Sequence, residues 1–429
     1  MPVIDLKYGR TPIPFEYDAQ RFELLGADNE QPSLSDADLG HKLDAPIDSA
    51  PLDEIIEPGQ TVLIVVPDAT RQTGCGQVVN LVVRRLIANG TAAHDIRIIF
   101  ATGIHRKVTA AEREAILTSF IAQRIKTLDH DPRDLVQLVH LGETSGGIPI
   151  EINRAVTEHD RVIIIGGVTF HYFAGFTGGR KLICPGLASS RTISETHKLA
   201  FDCQTLSRRE CVENGKLDGN AVNEAFMEIV EKVPPAFSIN TIVNDAGEIV
   251  RLFCGDWRSS HRAACDAYAE QHTIHITEKR DLVIVSCGGY PFDINLIQAH
   301  KALEAASQAC SDGGTIVLLA ECADGLGRDD FLSWFDVPNS QDLAFRLCKK
   351  YQVNGQTAWS LLTKAEKFDI QIVTATNQTE VEKMRLNKID GAAAASLAAN
   401  GGKKGYIFPN AAKIRVVHRS ASQSLLVPE

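Results

Sequence analysis

The sequence predicts an α/β protein with two Rossmann-like domains, each built on a mainly parallel β-sheet. Continuous apolar runs of strand length alternate with segments of helical spacing along most of the chain, which is typical of parallel strands joined by helices. A chain of 429 residues is also longer than one hydrophobic core usually supports. Because the alternation begins afresh after a polar stretch near residues 272–280, we expect domains at 1–275 and 276–429, with the last residues of the chain free to pack back onto the first domain.

The first sixty residues are rich in proline, which predicts an irregular amino-terminal wrap. Regular structure is expected from residue 61, where the apolar run TVLIVVP leads into a loop as a buried parallel strand does. Gly90 stands where a helix C-cap glycine would, and Thr109 with Glu112 forms a capping box. The predicted elements of the first domain are strands near 61–67, 96–100 and 161–167 and helices at 77–88, after Thr109, at 222–233 and at 259–271.

The second domain is predicted to start with the strand in DLVIVSCGGYPFD, which begins at residue 281. The next helix lies in DINLIQAHKALEAA, with Asp293 as its expected N-cap. Gln298 and Lys301 lie three residues apart in this helix and therefore share one face, whereas His300 is expected to point away and to be exposed. The other predicted elements are strands at 315–320, 370–374 and 414–417 and an Asp-capped helix with a glycine stop at 390–402.

Composition and charge limit the class of function. The chain is 44% hydrophobic and 23% charged without a biased tract, as in ordinary globular proteins. Its formal net charge of −10 argues against nucleic acid or an anionic membrane as the main partner. The apolar runs are shorter than the roughly 20 residues of a membrane span, and the amino terminus lacks the apolar core of a signal peptide. We therefore expect a cytoplasmic protein without a nucleic-acid or membrane partner.

The ten cysteines contain no CxxC pair and have no regular spacing. The sequence therefore suggests neither a zinc ribbon nor a disulfide framework. Most of these cysteines are expected to be small buried residues in a reducing compartment.

Polar residues follow four of the predicted strands at the point where each strand ends. Because the carboxyl ends of parallel strands share one edge of a sheet, ligands bind at that edge, and a site can be built there from separate loops. We expect such an active site in the cleft between the two domains. The four segments are DATR (68–71), TGIH (102–105), HYFAGFTGGRK (171–181) and CGGY (287–290), the last one ahead of Gln298 and Lys301.

Two histidines on different loops are candidate acid/base residues. Arg106 and Lys107 stand beside His105, and their positive charge would favour a neutral imidazole, while the aromatic neighbours of His171 would do so by desolvation. Taken singly, they have plainer interpretations as a solvated loop histidine and a core histidine. Together they fit an enzyme that inverts a stereocentre, since such an enzyme benefits from one acid/base group on each face of its substrate.

A lysine and a further histidine occupy the same part of the chain. TGGRK differs from the phosphate-binding loop GxxxxGK[ST], because Arg180 precedes Lys181 and Leu182 follows it. This disfavours a kinase or ATPase and makes Lys181 a candidate nucleophile or covalent anchor. His197 is a candidate ligand for nickel, copper, zinc or iron, whose other ligands must come from elsewhere, such as a cofactor. Arg71 is able to bind a carboxylate or phosphate in bidentate fashion, with a surface ion pair as the alternative.

These motifs in combination resemble the nickel-dependent lactate racemase family. The resemblance extends from about residue 60 to residue 305, and the combination is far more specific than any motif in it. It implies that the first domain, 1–275, binds the cofactor and carries the catalytic residues. The shared motifs are DATR, TGIH, HYFAGFTGGRK, the PG at 185–186, His197 and GGYPFDINLIQAHKAL at 288–303, in this order.

The resemblance implies a metal and a covalently bound cofactor. Lys181 would carry the family's nickel-pincer nucleotide, pyridinium-3,5-bisthiocarboxylic acid mononucleotide. His197 would be the protein's ligand to the nickel, and the pincer would supply the other ligands. The segment that would also contact the cofactor consists of Asp68, Ala69, Thr70 and Arg71.

The resemblance also implies a reaction, the racemisation or epimerisation of a 2-hydroxy acid such as lactate, malate or a sugar acid. His105 and His171 would be the acid/base residues on opposite faces of the substrate, whose carboxylate and hydroxyl would be held by Arg71, Gln298 and Lys301. One histidine would take the hydroxyl proton while the α-hydride passes to the cofactor. The hydride would return to the opposite face of the resulting 2-keto acid. Proteins of cofactor biosynthesis and maturation are implied partners.

Two other classes of function stay open at this point. One is a nucleotide-dependent transferase that uses the glycine-rich loop for phosphate, although the failed phosphate-loop match speaks against it. The other is a non-catalytic homologue that binds cofactor or metal, although mere binding would need neither histidine base. Trp359 is a candidate wall of the substrate pocket, and Tyr172 and Arg180 are candidate polar contacts to a larger acid.

Overall fold

The computed structural model of the protein describes residues 1–26, 31–400 and 402–418. The strands of this part of the chain are β1 (Val3–Tyr8), β2 (Thr11–Glu16), β3 (Phe22–Leu24), β4 (Val62–Pro67), β5 (Ile96–Ala101), β6 (Lys126–Leu128), β7 (Leu138–Glu143), β8 (Pro149–Asn153), β9 (Arg161–Gly167), β10 (Phe170–His171), β11 (Gly175–Phe176), β12 (Phe201–Asp202), β13 (Ser207–Arg208), β14 (Phe237–Val243), β15 (Ile249–Gly255), β16 (Thr273–Ile276), β17 (Arg280–Ser286), β18 (Cys310–Leu319), β19 (Asp369–Val373), β20 (Asn387–Lys388), β21 (Gly405–Phe408) and β22 (Arg415–His418).

The helices are α1 (Asp36–Asp44), α2 (Leu52–Ile55), α3 (Cys75–Ala88), α4 (Ala110–Leu117), α5 (Ser119–Arg124), α6 (Ala155–Glu158), α7 (Ser190–Lys198), α8 (Ala221–Val230), α9 (Ser259–His272), α10 (Leu296–Ala299), α11 (Ala302–Ala309), α12 (Ser340–Lys349), α13 (Val353–Lys367), α14 (Gln378–Lys383) and α15 (Gly391–Ala399). Short 3-10 helices lie at Ala93–Asp95, Leu135–Gln137, Gly179–Leu182, Phe331–Phe335 and Ala411–Lys413.

The first of two compact units consists of Asp28–Ala200 and Arg209–Tyr268. Its six-stranded sheet has the order β15-β14-β9-β4-β5-β6, with β14 and β15 antiparallel and every other neighbouring pair parallel. All six residues of β4 are buried. Alternate residues of this strand face two cores, one that includes α3 and one that includes α7 and α8. Burial on both faces is why the strand reads as a continuous apolar run.

The second unit consists of Met1–Ala27, Phe201–Arg208 and Ala269–Glu429. Its six-stranded sheet has the order β20-β19-β18-β17-β21-β3 and is parallel throughout. The central strand β17 again faces two cores. Val283 and Val285 contact the core beneath α11 and α13, while Leu282 and Ile284 contact one that includes Leu6 of the amino-terminal hairpin.

Most of the elements expected between residues 61 and 418 are confirmed within a few residues, and the sheets are mainly parallel as predicted. The Thr109 side chain accepts from the N–H of Glu112, whose own side chain accepts from the N–H of Thr109, so the predicted capping box is present. Asp390 likewise caps α15.

The prediction of an irregular wrap at the amino terminus is wrong. Residues 3–16 form an antiparallel β1–β2 hairpin, and β3 extends the sheet of the second unit beside β21. Proline is compatible with these strands because they lie at an edge or in a two-stranded ribbon, where a missing N–H is tolerated.

The two units do not coincide with a division of the chain into 1–275 and 276–429. The amino-terminal hairpin and Phe201–Arg208 pack with the second unit although they precede residue 276. The polar stretch near residues 272–280, where the boundary was expected, contains a strand, since β16 pairs with β22. The chain therefore crosses between the units more than once, which a composition shift along the sequence cannot reveal.

A disulfide joins Cys203 to Cys348, although the sequence suggested no disulfide framework. The same segment is held by Arg208, whose guanidinium donates to Glu304 at 3.0 and 3.1 Å. Lys364 donates to that carboxylate as well, at 2.7 Å. Among the described residues seven of the free cysteines are buried and Cys211 is partly so. No helix of the described chain is both long and apolar enough to cross a bilayer.

Candidate active site

The loop after β4 contains a buried carboxylate with several hydrogen-bond donors. Asp68 is 5% exposed, and its Oδ1 accepts from the backbone N–H of Thr70 at 3.0 Å and from the Thr70 hydroxyl at 2.6 Å. Burial opposes ionisation of this carboxyl, but His105, Arg71 and the Thr70 hydroxyl outweigh burial and hold its pKa well below the usual range. Asp68 is therefore a fixed negative charge at neutral pH.

His105 is oriented by that carboxylate. Its Nδ1 lies 2.6 Å from Oδ2 of Asp68, with the His105 side chain 39% exposed. Because an ionised carboxylate only accepts, Nδ1 must donate, so the neutral ring has its lone pair on Nε2. The sequence interpretation attributed the state of His105 to Arg106, but that guanidinium binds Glu112, at 2.7 Å for Nη1 and 2.5 Å for Nη2. The partner that matters is 37 residues away in the sequence.

His171 lies in the small β10–β11 hairpin and is buried, 6% exposed. Its Nδ1 accepts the backbone N–H of Ala174 at 3.3 Å, so in the neutral ring the proton is on Nε2. The ring of Tyr172 stacks on it with centroids 5.4 Å apart. The two candidate bases thus have opposite tautomers, with Nε2 an acceptor in His105 and a donor in His171.

The ring of Phe173 contacts three of the predicted site residues. It meets His171 edge to face at 4.5 Å and His197 at 4.9 Å between centroids, and the Lys181 Nζ lies 5.4 Å from its centre. Phe226 of α8 contacts His197 and Lys181 as well, at 5.7 Å each. These rings form an apolar wall that groups the three side chains.

His197 is suited to metal ligation. It lies near the end of α7 and is 6% exposed. Burial, and then the charges of Lys181 and His105, lower its pKa to about 3, against a hydrogen bond to the Ile193 carbonyl. The ring is therefore neutral at physiological pH, and that backbone bond leaves one ring nitrogen for a ligand, as second-sphere carbonyls do for metal-bound histidines. Among the described residues no group of three or more His, Cys, Asp or Glu side chains is placed to hold a metal ion.

The glycines of the 171–181 loop are required by packing within the protein. Gly175 has φ +77°, and a Cβ on it would lie 2.1 Å from the Lys216 carbonyl oxygen. Gly179 has φ +51°, and its Cβ would lie 2.5 Å from the His261 ring. At both positions left-handed backbone and protein neighbours account for the glycine.

Arg180 does not present its guanidinium as a substrate contact. It is 1% exposed, and its Nε, Nη1 and Nη2 all donate to groups of the protein. The proposal of a polar contact from Arg180 to a larger acid is therefore wrong.

In the second unit the Lys301 ammonium donates to Oε1 of Gln298, so the two side chains are close together as predicted. They do not lie in one helix, because α10 ends at Ala299 and Lys301 precedes α11. His300, expected to be exposed, is 1% exposed. Burial, with the charges of Lys364 and Lys301, lowers its pKa to about 3. Trp359 packs edge to face on Phe201 with centroids 4.9 Å apart.

The start of this helix also differs from the prediction. Asn295 caps α10, its side chain accepting from the N–H of Gln298 at 3.0 Å. Asp293 instead accepts from the backbone N–H groups of Gly9 at 2.7 Å and Glu321 at 3.1 Å. These partners of Asp293 are distant in sequence, so they could not be predicted from the spacing of a capping motif.

Sequence reasoning missed the residues that support the 171–181 loop, chiefly Asn220, Asn223 and His261. Asn220 caps α8 by accepting from Val222 and Asn223 N–H groups. An asparagine before an apolar helical run is an N-cap signal that the sequence shows. Its second function, as a donor to the 171–181 loop, could not be read from the sequence.

The sequence matches family models over most of its length. Residues 8–207 match the family model described as lactate racemase N-terminal domain, and residues 276–420 match the lactate racemase C-terminal domain. The lactate racemase of Thermoanaerobacterium thermosaccharolyticum is 30% identical over 339 residues, 78% of each chain. That of Lactiplantibacillus plantarum is 31% identical over 335 residues, 77% of each chain.

Two solved structures have the same fold. The lactate racemase apoprotein from Thermoanaerobacterium thermosaccharolyticum superimposes with a TM-score of 0.87 at 26% identity, covering 97% of this chain and all of that one. A crystal structure of a Thermotoga maritima protein has a TM-score of 0.71 at 19% identity, covering 92% of this chain and all of that one, and supports the fold alone.

The fold and these matches define the class, an isomerase of the racemase type built on two α/β units. The chain belongs to the lactate racemase family.

Proposed function

We propose that this chain interconverts the stereoisomers of a small 2-hydroxy acid, with lactate as the first candidate and malate and sugar acids as the others. The observation that carries the proposal is the grouping of His171, Lys181 and His197 around Phe173, in the unit that also contains the Asp68–His105 pair. A transferase or a simple binding protein has no need of two oriented imidazoles.

The histidines act as acid/base residues on the hydroxyl group of the substrate. His105, with its Nδ1–H bound to Asp68, presents a lone pair at Nε2 that takes up the hydroxyl proton, and the carboxylate stabilises the imidazolium that forms. His171 presents an N–H at Nε2, which donates to the oxygen on the other face. For the opposite stereoisomer His171 takes up the hydroxyl proton, which requires its other neutral tautomer, with the proton on Nδ1 and the lone pair on Nε2.

The residues fit the cofactor that the family implies. A neutral, buried His197 supplies one metal ligand, and the described chain holds no cluster that would complete the coordination of a free ion, so a cofactor that brings its own ligands suits the site. Lys181 is the residue for covalent attachment, and the Asp68–Arg71 segment is the second contact. When bound, the nickel-pincer nucleotide supplies the group that accepts the α-hydride and returns it.

Arg71 is the proposed partner of the substrate carboxylate, together with Gln298 and Lys301. Arg71 is half-buried. Burial lowers its pKa, an effect that Asp68 opposes, and the guanidinium keeps its charge at neutral pH. Its two parallel donors match a carboxylate.

The proposal is tested by co-expressing the chain with proteins that synthesise the cofactor. Intact mass, nickel content and chiral chromatography with a panel of enantiopure 2-hydroxy acids are then measured. We expect added mass on Lys181, bound nickel and racemisation of at least one acid. A chain of unmodified mass without nickel would contradict the proposal.

Substitutions test the acid/base roles. We expect His105→Ala and His171→Ala each to abolish interconversion while the mass on Lys181 persists, because neither side chain is needed for attachment. His159→Ala, a change on a half-buried surface histidine of the same unit, is the control and should racemise as the unmodified sequence does. A His105 or His171 variant of undiminished rate would remove that residue from the pair.

A further inference from the structure

In the described part of the chain, the buried guanidinium of Arg180 donates to neutral acceptors that lie on the 171–181 loop and on α8. Arg180 donates from Nη2 to the Ala174 carbonyl at 2.7 Å and from Nη1 to the Phe176 carbonyl at 3.2 Å. Its Nε donates to Oδ1 of Asn223 at 2.7 Å. Nη1 also lies 3.2 Å from Nε2 of His261, a ring whose pKa is lowered to about 3 by burial and by the Arg180 charge.

The same loop is held from α8 by a second side chain. Asn220 donates from Nδ2 to the Phe173 carbonyl at 3.0 Å, while its Oδ1 caps the helix through the N–H groups of Val222 and Asn223. Asn223 is fixed in turn, since its Nδ2 donates to the Leu217 carbonyl at 3.1 Å. Arg180, Asn220 and Asn223, which we call the loop clamp, thus hold three carbonyls within four residues of chain.

The position of these carbonyls links the clamp to the proposed chemistry. They lie two to five residues after His171, and one belongs to Phe173, whose ring contacts His171, His197 and Lys181. At the other end, Arg180 is the residue before Lys181 in a single turn of 3-10 helix. A shift of the guanidinium would therefore move the backbone on both sides of the site.

A purely structural requirement would not select this arrangement. Burial lowers the pKa of Arg180 to about 10, which shows the cost of keeping a guanidinium in this place. A well-packed apolar residue of similar volume often gives equal or greater stability than a buried charge. A planar guanidinium donates in fixed directions to several acceptors at once, which an apolar side chain cannot do.

We propose that the loop clamp is a positioning device, which fixes the orientation of His171 and the placement of Lys181 without contacting the substrate. This inference rests on the proposed function. A misplacement of about 1 Å at a reacting group costs on the order of 100-fold in rate, so loss of the clamp should lower kcat far more than it lowers stability.

The experiment uses the chain matured with its cofactor proteins. Arg180→Met and Asn223→Ala remove the donor and one acceptor, and Arg180→Lys keeps the charge without the fork. Asn223→Asp keeps an oxygen for Nε of Arg180 and is the conservative rescue. The control is Arg154→Met, an exposed arginine of the same unit in a surface ion pair with Glu158. Thermal midpoint, fraction of Lys181 modified, and kcat and KM per folded molecule are measured for each variant.

We expect Arg180→Met, Arg180→Lys and Asn223→Ala to lower kcat by about 10- to 100-fold, with KM changed less than about threefold because substrate contacts are untouched. The modified fraction of Lys181 should fall in the Arg180 variants. Asn223→Asp should recover most of the rate, and the control should match the unmodified sequence.

Two results would overturn the inference. The first is an unchanged kcat and a fully modified Lys181 in the clamp variants. The second is a loss of activity that is explained by the unfolded fraction alone in all variants, Asn223→Asp included. Failure of the proposed function has a different signature, because the unmodified sequence itself would then lack both the mass on Lys181 and racemisation.

Discussion

Asp68 determines which nitrogen of His105 faces away from the protein. The 2.6 Å contact assigns the proton to Nδ1, while the Ala174 N–H assigns the opposite tautomer to His171. His105, Asp68 and Lys181 could all be selected from the sequence by residue type. The pairing of Asp68 with His105 could not be predicted from the sequence. Arg106 is adjacent to His105 in the chain and was the expected electrostatic partner, but in the structure it binds Glu112.

A single substitution tests this pairing. We expect Asp68→Asn to lower kcat by about 100-fold or more, because an amide neither enforces the Nδ1–H tautomer nor stabilises an imidazolium. The mass on Lys181 and the thermal midpoint should change little by comparison. Asp134→Asn, at a half-buried residue that caps a short 3-10 helix of the same unit, is the matched control. Equal rates for Asp68→Asn and Asp134→Asn would show that His105 does not need the Asp68 carboxylate for catalysis.

At the scale of elements, the 171–181 loop is defined by what it packs against. Periodicity predicted β9 before it and the helix α8 after it, and both are confirmed. The left-handed glycines and the bonds from α8 were beyond prediction, since they depend on contacts between segments some 40 residues apart.

The glycine at position 175 gives a test of the loop. A Cβ there meets the Lys216 carbonyl at 2.1 Å with φ at +77°, so Gly175→Ala should lower the free energy of unfolding of the first unit by about 1–3 kcal/mol. Gly146→Ala, where φ is not positive and the nearest atom is 3.8 Å away, should be close to neutral. Chemical denaturation of the two variants provides the measurement, and equal stabilities would contradict the loop geometry.

The disulfide gives a second test at this scale. Cys203 and Cys348 are 145 residues apart in sequence, and cross-links that close long loops stabilise mainly by restricting the unfolded chain. We expect Cys348→Ser, or treatment with a reductant, to lower the free energy of unfolding of the second unit by about 2–5 kcal/mol. Cys211→Ser, on a free and partly exposed cysteine, serves as the control. Reductant without effect on denaturation would indicate that the bond does not form.

For the molecule as a whole, several buried histidines are kept neutral by the fold. Burial lowers the pKa of His130 to about 4 and that of His300 to about 3. Although burial raises it, the pKa of Glu304 is held below its usual range by Arg208 and Lys364. The histidines and the carboxylates therefore respond to acid in different ranges of pH.

The sign of the pH dependence follows from the bound protons. Between pH 6.5 and about 4 the unfolded chain protonates His130 and the folded chain does not, so stability is full above pH 6.5 and falls with pH by up to about 1.4 kcal/mol per pH unit for each such histidine. The carboxylates add to the loss only below about pH 4. We expect denaturation curves at pH 7 and 5.5 to show this loss, and His130→Gln to reduce it. An unchanged slope in that variant would mean that His130 is protonated in the folded state.

The sequence by itself determined the α/β class, most of the strands and helices, and the residue types of the candidate site, because these depend on local periodicity and on side-chain chemistry. It also carried the family resemblance, in motifs that stand at strand ends. Only the tertiary structure decided that the amino-terminal hairpin and residues 201–208 join the second unit, that Asp68 rather than Arg106 governs His105, and that Arg180 supports the loop. Such pairings join residues that are distant in the chain. Their energies depend on burial and on hydrogen-bond direction, and neither can be read from the spacing of residues in the sequence.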